Sequence, residues 1–125
     1  EKRVLFKCNA YLQAGVDMGS YDDSKTRIDS SAMAITVTLP KVKILSCRMP
    51  FEEIRLVESE ATGFRHQFSA EERQLLLQQG EQSILADVDS GKYAILADAE
   101  RNTRIFFERM LTRLGYKSVT IKFEK

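Results

Sequence analysis

The stretch LGYKSVTIKF, Leu114 to Phe123, marks a change of period. Val119, Ile121 and Phe123 alternate with Thr120 and Lys122, which is the period of two of a strand with one buried face. Just before it, Gly115 stands where a helix needs a left-handed C-cap, and Tyr116 supplies the apolar contact that accompanies such a cap. A strand that follows helices must pair with strands made earlier in the chain. The helices then cover the apolar face of that sheet.

Reading back from Gly115, apolar residues recur at spacings of three and four. Leu96, Ala99, Thr103, Phe106, Met110 and Leu114 predict a helix from about Lys92 to Leu114. Before it, Asp89-Ser90-Gly91 breaks an earlier helix whose buried stripe is Leu76, Leu77, Ile84 and Val88. That helix starts at Ser69, which forms a capping box with Glu72: the hydroxyl accepts from the Glu72 N–H, and the carboxylate reaches back to the Ser69 N–H. Glu71 and Glu72 also suit the positive end of the helix dipole. Gly80 costs about 1 kcal/mol relative to Ala inside a helix. A close approach by the second helix or by the sheet explains it, with a ligand-facing gap as the alternative.

The N-terminal half alternates. Val4, Phe6, Cys8, Ala10, Leu12, Ala14 and Val16 against Lys7, Asn9, Gln13 and Asp17 predict one long strand, ended by the turn residues of Met18 to Lys25. Met33, Ile35, Val37 and Leu39 predict a second strand. After Pro40 the apolar set moves to Val42 and Ile44, a change of parity that a bend or bulge produces. A fourth strand is expected at Glu53 to Ser59. The order of strands, two helices and a final strand predicts an α+β fold: N-terminal antiparallel strands, a two-helix hairpin on the sheet, and a C-terminal strand returning to it.

At 125 residues the chain is expected to form a single α+β domain over residues 1–125, burying somewhat under about 70% of its unfolded surface. With 43% hydrophobic and 30% charged residues it reads as folded rather than disordered. Nineteen basic against 18 acidic side chains leave a net charge of +1, without the basic footprint that a phosphate backbone demands. No nucleic-acid partner is expected. No apolar run approaches the roughly 20 residues needed to span a bilayer. The first residue is Glu1, already inside an alternating pattern, and an N-terminal piece is expected to precede it.

No motif for catalysis, metal or nucleotide stands out, so no catalytic residue, metal ligand or cofactor is assigned. His66 has no elbow or Cys/His arrangement around it and reads as a loop residue. Cys8 and Cys47 sit in strand-like surroundings without CxxC spacing and read as buried thiols, although a disulfide stays open if their Cα atoms lie within about 7 Å. Asp17, Asp22, Asp23 and Asp29 surround a turn but lack the spacing of a calcium loop. The acids of the helices, including Glu100, alternate with Arg101, Arg104, Arg109 and Arg113 as on a solvated face. Gln74, Gln78 and Gln82 repeat every fourth residue along the first helix, where they simply face water or form the candidate interaction surface.

The segments YLQAGVDMG (11–19), ITVTLPKVKILS (35–46), GFRHQFSAEERQLLLQQGE (63–81) and LADAERNTRIFFERMLTRLGYKSVTIKF (96–123) resemble the bacterial family catalogued as domain of unknown function 4230, over nearly the whole chain. The resemblance implies an N-terminal membrane anchor ahead of the domain and therefore an extracytoplasmic place, periplasmic or at the cell surface. It implies no enzymatic activity, cofactor or substrate. Gly63, Phe64 and Phe68 look like the family's link between sheet and helices. The expected role is a non-enzymatic domain meeting an unidentified protein or envelope component, with self-association through the helices as a further partner. The alternative is a small-molecule or ion-binding domain, or a hydrolase, with a pocket between sheet and helices.

Overall fold

The computed structural model describes residues 4–7, 9–53, 55–59 and 70–125. Seven strands and two helices are seen among them: β1 (Val4–Lys7), β2 (Tyr11–Gly15), β3 (Arg27–Asp29), β4 (Ala34–Leu39), β5 (Lys43–Arg48), β6 (Arg55–Ser59), α1 (Ala70–Asp89), α2 (Ile95–Arg113) and β7 (Ser118–Phe123). The class is α+β, as expected. By its contacts the chain divides into two compact units, residues 1–12 with 46–92, and residues 13–45 with 93–125. The ladder of β2 with β5 is cut by this division, which falls inside both strands.

The second unit holds the returning strand. Its sheet has the order β3-β4-β7. β3 runs antiparallel to β4, and β7 runs parallel to it, pairing Ile35 with Val119, Val37 with Ile121 and Leu39 with Phe123. Paired residues share a face, so the two odd-numbered apolar sets merge into one surface. Ile35, Val37, Leu39 and Ile121 are buried there together with Leu111 of α2. Tyr21, Phe107, Tyr116, Val119 and Phe123 pack around them.

Both ends of the parallel ladder are fixed by backbone bonds. Met33 was expected to lead the strand inward, but it sits in the preceding turn with φ of 51° and is exposed. That conformation is costly for a residue with a side chain. It leaves the Met33 carbonyl accepting from the N–H groups of Lys117 (2.7 Å) and Ser118 (3.3 Å), and at the other end Leu39 accepts from Glu124 (2.8 Å). Lys25 and Glu124 form an exposed ion pair beside that end.

Gly115 does what its position promised. Its φ is 111°, its N–H donates to Thr112, and the Tyr116 N–H donates back to Leu111. These two bonds make a Schellman motif, and Tyr116 closes it against the core. Gly91 repeats the motif after α1, with φ of 84° and with Gly91 and Lys92 donating to Val88 and Asp87.

The expected apolar stripe of α2 is displaced by one residue in its C-terminal half. Phe107 and Leu111 face the sheet, whereas Phe106 is 61% exposed, Met110 38% and Leu114 69%. The pairs Phe106-Phe107 and Met110-Leu111 offer two stripes at helical spacing. The sheet takes the one that continues through Thr103, Phe107 and Leu111.

In the first unit, β1 pairs antiparallel with β6, with an irregularity between Leu5 and Phe6. The single strand expected over Val4 to Val16 is therefore two, with different partners. Asn9, a poor strand residue, lies in the gap. Both pieces keep the same parity, so alternation alone does not reveal the break. The turn Met18 to Lys25 contains two short 3-10 turns, Met18–Ser20 and Asp23–Lys25. α1 buries Val88 to 2% exposure, with Leu76, Leu77 and Ile84 half-buried as expected. Gly80 lies under the side chain of Met49, just after β5. A Cβ there would fall 2.7 Å from the Met49 terminal methyl. The expected capping box at Ser69 and the link residues Gly63, Phe64 and Phe68 lie outside the described residues.

The displaced stripe gives a direct contrast. Leu111→Ala is expected to cost about 3 kcal/mol in urea unfolding, as for a buried leucine that leaves a cavity. Phe106→Ala is expected to cost less than about 1 kcal/mol, because its ring is already largely in water. Equal costs would show that the wrong face has been placed on the sheet.

Candidate functional site

α1 presents the amides that the sequence singled out. Gln74, Gln78 and Gln82 are all exposed, and none has a side-chain partner among the described residues. Their spacing of four places them in one row along the helix. Leu75, 55% exposed, lies three residues before Gln78 and seven before Gln82 and so joins the same side. Gln79 and Glu71 are exposed as well. The result is a polar surface of amides, bordered by the carboxylates of Glu71 and Glu81, around one aliphatic side chain. Elsewhere on α1 Val88 is buried and Leu77 and Ile84 are half-buried, so these apolar residues turn inward while the amides stay exposed.

A second polar group in the same unit was not visible in the sequence. Glu53 accepts from the Tyr11 hydroxyl at 2.6 Å and from the Asn9 amide at 3.2 Å. The Arg48 guanidinium lies 4.7 Å from the centre of the Tyr11 ring, within cation–π reach. The Glu53 carboxylate raises the Tyr11 pKa, first by accepting its proton in a hydrogen bond and then through burial and its own negative charge, with Arg48 opposing. Tyr11 is an outward residue of an alternating run, and nothing local ties it to Glu53. The hydrogen bond favours the protonated phenol and clasps Tyr11 to Glu53.

Cys47 is a free, half-buried thiol. Burial raises its pKa, and the carboxylate of Glu81 adds to the effect. A thiol so held is a poor nucleophile at neutral pH. Cys8 and His66 lie outside the described residues.

The acidic turn is occupied by its own backbone. Asp17 accepts from the Gly19 N–H at 2.9 Å. Asp22 accepts from the Ser24 hydroxyl and N–H, which lower its pKa in that order. Asp29 accepts from the Ser31 hydroxyl, the Ser31 N–H and the Ala32 N–H, and the Ser31 hydroxyl is the largest cause of its lowered pKa. These carboxylates act as turn caps. On α2, Arg101 pairs with Asp98 at 2.6 Å and Arg104 with Glu100 at 3.4 Å, and Arg104 also lies over the Phe123 ring at 5.2 Å. No helix among the described residues is long and apolar enough to cross a membrane.

The model of the family described as protein of unknown function (DUF4230) matches residues 1–121. No curated protein and no solved structure shows a significant match to the chain.

The Tyr11 clasp is testable by spectrophotometric titration of the phenols. One of the four tyrosines is expected to ionise above the ordinary range, and Glu53→Ala is expected to bring it down. A folded pKa raised above the unfolded one means that the clasp's contribution is present below about pH 10 and is lost as pH rises through the folded value. An unchanged titration curve in the variant contradicts the clasp.

Proposed function

The chain belongs to the DUF4230 family of proteins of unknown function, and from that premise we propose that it is a non-enzymatic, extracytoplasmic domain of a membrane-anchored bacterial protein. In this reading an N-terminal anchor ahead of the domain holds it at the membrane, and the domain works by contact with another protein or an envelope component. The observation that carries the contact role is the amide row of α1. Gln74, Gln78 and Gln82 expose donors and acceptors that the fold leaves without partners among the described residues, beside an exposed Leu75.

Neutral amides suit such a surface. Each offers both a donor and an acceptor, so it can match a partner's backbone without the desolvation cost of a charge. Leu75 supplies the apolar centre that a recognition surface needs to hold the polar contacts in register. The polar groups described above are consistent with a binding module, since the carboxylates of the turn cap backbone and Tyr11 is held protonated by Glu53.

A photo-crosslinking residue placed at Gln78 in the membrane-anchored protein is expected to give one discrete adduct in intact cells. The same residue at Thr120, on the exposed side of β7, is expected to give none or a diffuse smear. Identical patterns at both positions would remove the amide row as the contact surface.

A further inference from the structure

Phe106, Met110 and Leu114 follow one another at spacings of four along α2 and are 61%, 38% and 69% exposed. They project beside the adjacent stripe of the same helix, Phe107 and Leu111, which is already committed to the sheet. Arg109 and Arg113 come three residues after Phe106 and Met110, and so lie directly beside the stripe. Neither arginine has an ion-pair partner among the described residues, in contrast to Arg101 and Arg104, which are paired with Asp98 and Glu100. The charge of α2 is therefore neutralised in its N-terminal half and left positive in its C-terminal half, where Lys117, also exposed, follows the cap. An open trough lies on the flank of α2 beyond the arginines, lined by Glu108, Arg109, Thr112 and Arg113.

We infer that the C-terminal half of α2 is a docking surface for an anionic lipid bilayer. Phe106, Met110 and Leu114 enter the boundary between headgroups and acyl chains, while Arg109, Arg113 and Lys117 meet lipid phosphates. Three arguments select this occupant. The free charge is positive and sits beside the apolar stripe, which is the pattern of an interfacial helix. Arg109, Arg113 and Thr112 line the trough with donors suited to a phosphate, and the single carboxylate in it, Glu108, is outnumbered. The exposed apolar area of the three side chains is on the order of 300 Å². That is the size of a functional patch but well short of the roughly 800 Å² per partner of a stable protein dimer, whereas a fluid bilayer needs no complementary shape. The inference is independent of an N-terminal anchor and goes beyond the contact role of α1.

The chain of residues 1–125, without any anchor, is the material for the test. Co-sedimentation with vesicles of phosphatidylcholine containing about one third phosphatidylglycerol is expected to bring the chain down, and vesicles of phosphatidylcholine alone are expected to leave it in solution. Raising the salt weakens the binding, as screening of phosphate contacts requires. Arg109→Glu with Arg113→Glu, both exposed and away from the core, is expected to lower the partition coefficient at least about thirtyfold. Phe106→Ser with Leu114→Ser is expected to abolish detectable binding to the same vesicles, with the circular dichroism of each variant matching that of the parent. No binding of the parent to anionic vesicles overturns the inference, and so does binding that both variants retain. Because no anchor is present, either result leaves the reading of a tethered domain standing.

Discussion

The parallel pairing of β4 with β7 is the interaction on which the second unit depends. A two-residue hairpin cannot join parallel strands, so the chain must leave β4 and return by a long connection before the pair can form. The last part of that connection is α2, and its Schellman cap at Gly115 turns the chain directly into β7. The register then brings Val37 opposite Ile121 and Leu39 opposite Phe123, and α2 closes over them through Phe107 and Leu111. Removing any one part exposes the rest: without the cap the strand is misdirected, and without the strand α2 has half a face to cover. Met33 bears a local conformational cost at the start of this ladder because its carbonyl receives the first bonds from β7.

Much of this is legible in the residues. Alternation at Ile35, Val37 and Leu39 and at Val119, Ile121 and Phe123 announces two strands with matching faces, and Gly115 announces where the helix must end. The direction of pairing is not legible, because alternation is the same in a parallel and an antiparallel ladder. Nor is the break between β1 and β2, since the two strands keep one parity across it. On α2 the sequence offers two overlapping stripes, and only the packing of the helix on its sheet distinguishes Phe107 and Leu111 from Phe106 and Met110. The amide row of α1 needs nothing but helical periodicity and was legible in full. The group around Glu53 was not, because Tyr11 lies 42 residues away and Asn9 lies 44 residues away, and a single carboxylate carries no mark of its partners.

The same displacement that misleads the stripe gives α2 two adjacent apolar stripes. One is spent on the sheet. The other remains in water, bordered by Arg109 and Arg113, which make no ion pair among the described residues, while the paired arginines of the N-terminal half are held in the helix's own ion pairs. Exposed ion pairs of that kind add little stability, so their effect is chiefly on where free positive charge remains. α1 differs in kind: its outward side is amide-rich, with exposed carboxylates at Glu71 and Glu81. The outward residues of the two helices are thus chemically distinct, amides on α1 and apolar side chains beside arginines on α2.

Amide hydrogen exchange followed residue by residue tests the central role of the β4–β7 pair most directly. The amides of Val119, Thr120 and Ile121 and those bonded in β4 are expected to exchange among the slowest in the second unit, at a rate set by its global opening. Exchange of the β7 amides on the fast timescale of a frayed terminus, while α2 and β4 stay protected, would contradict the account.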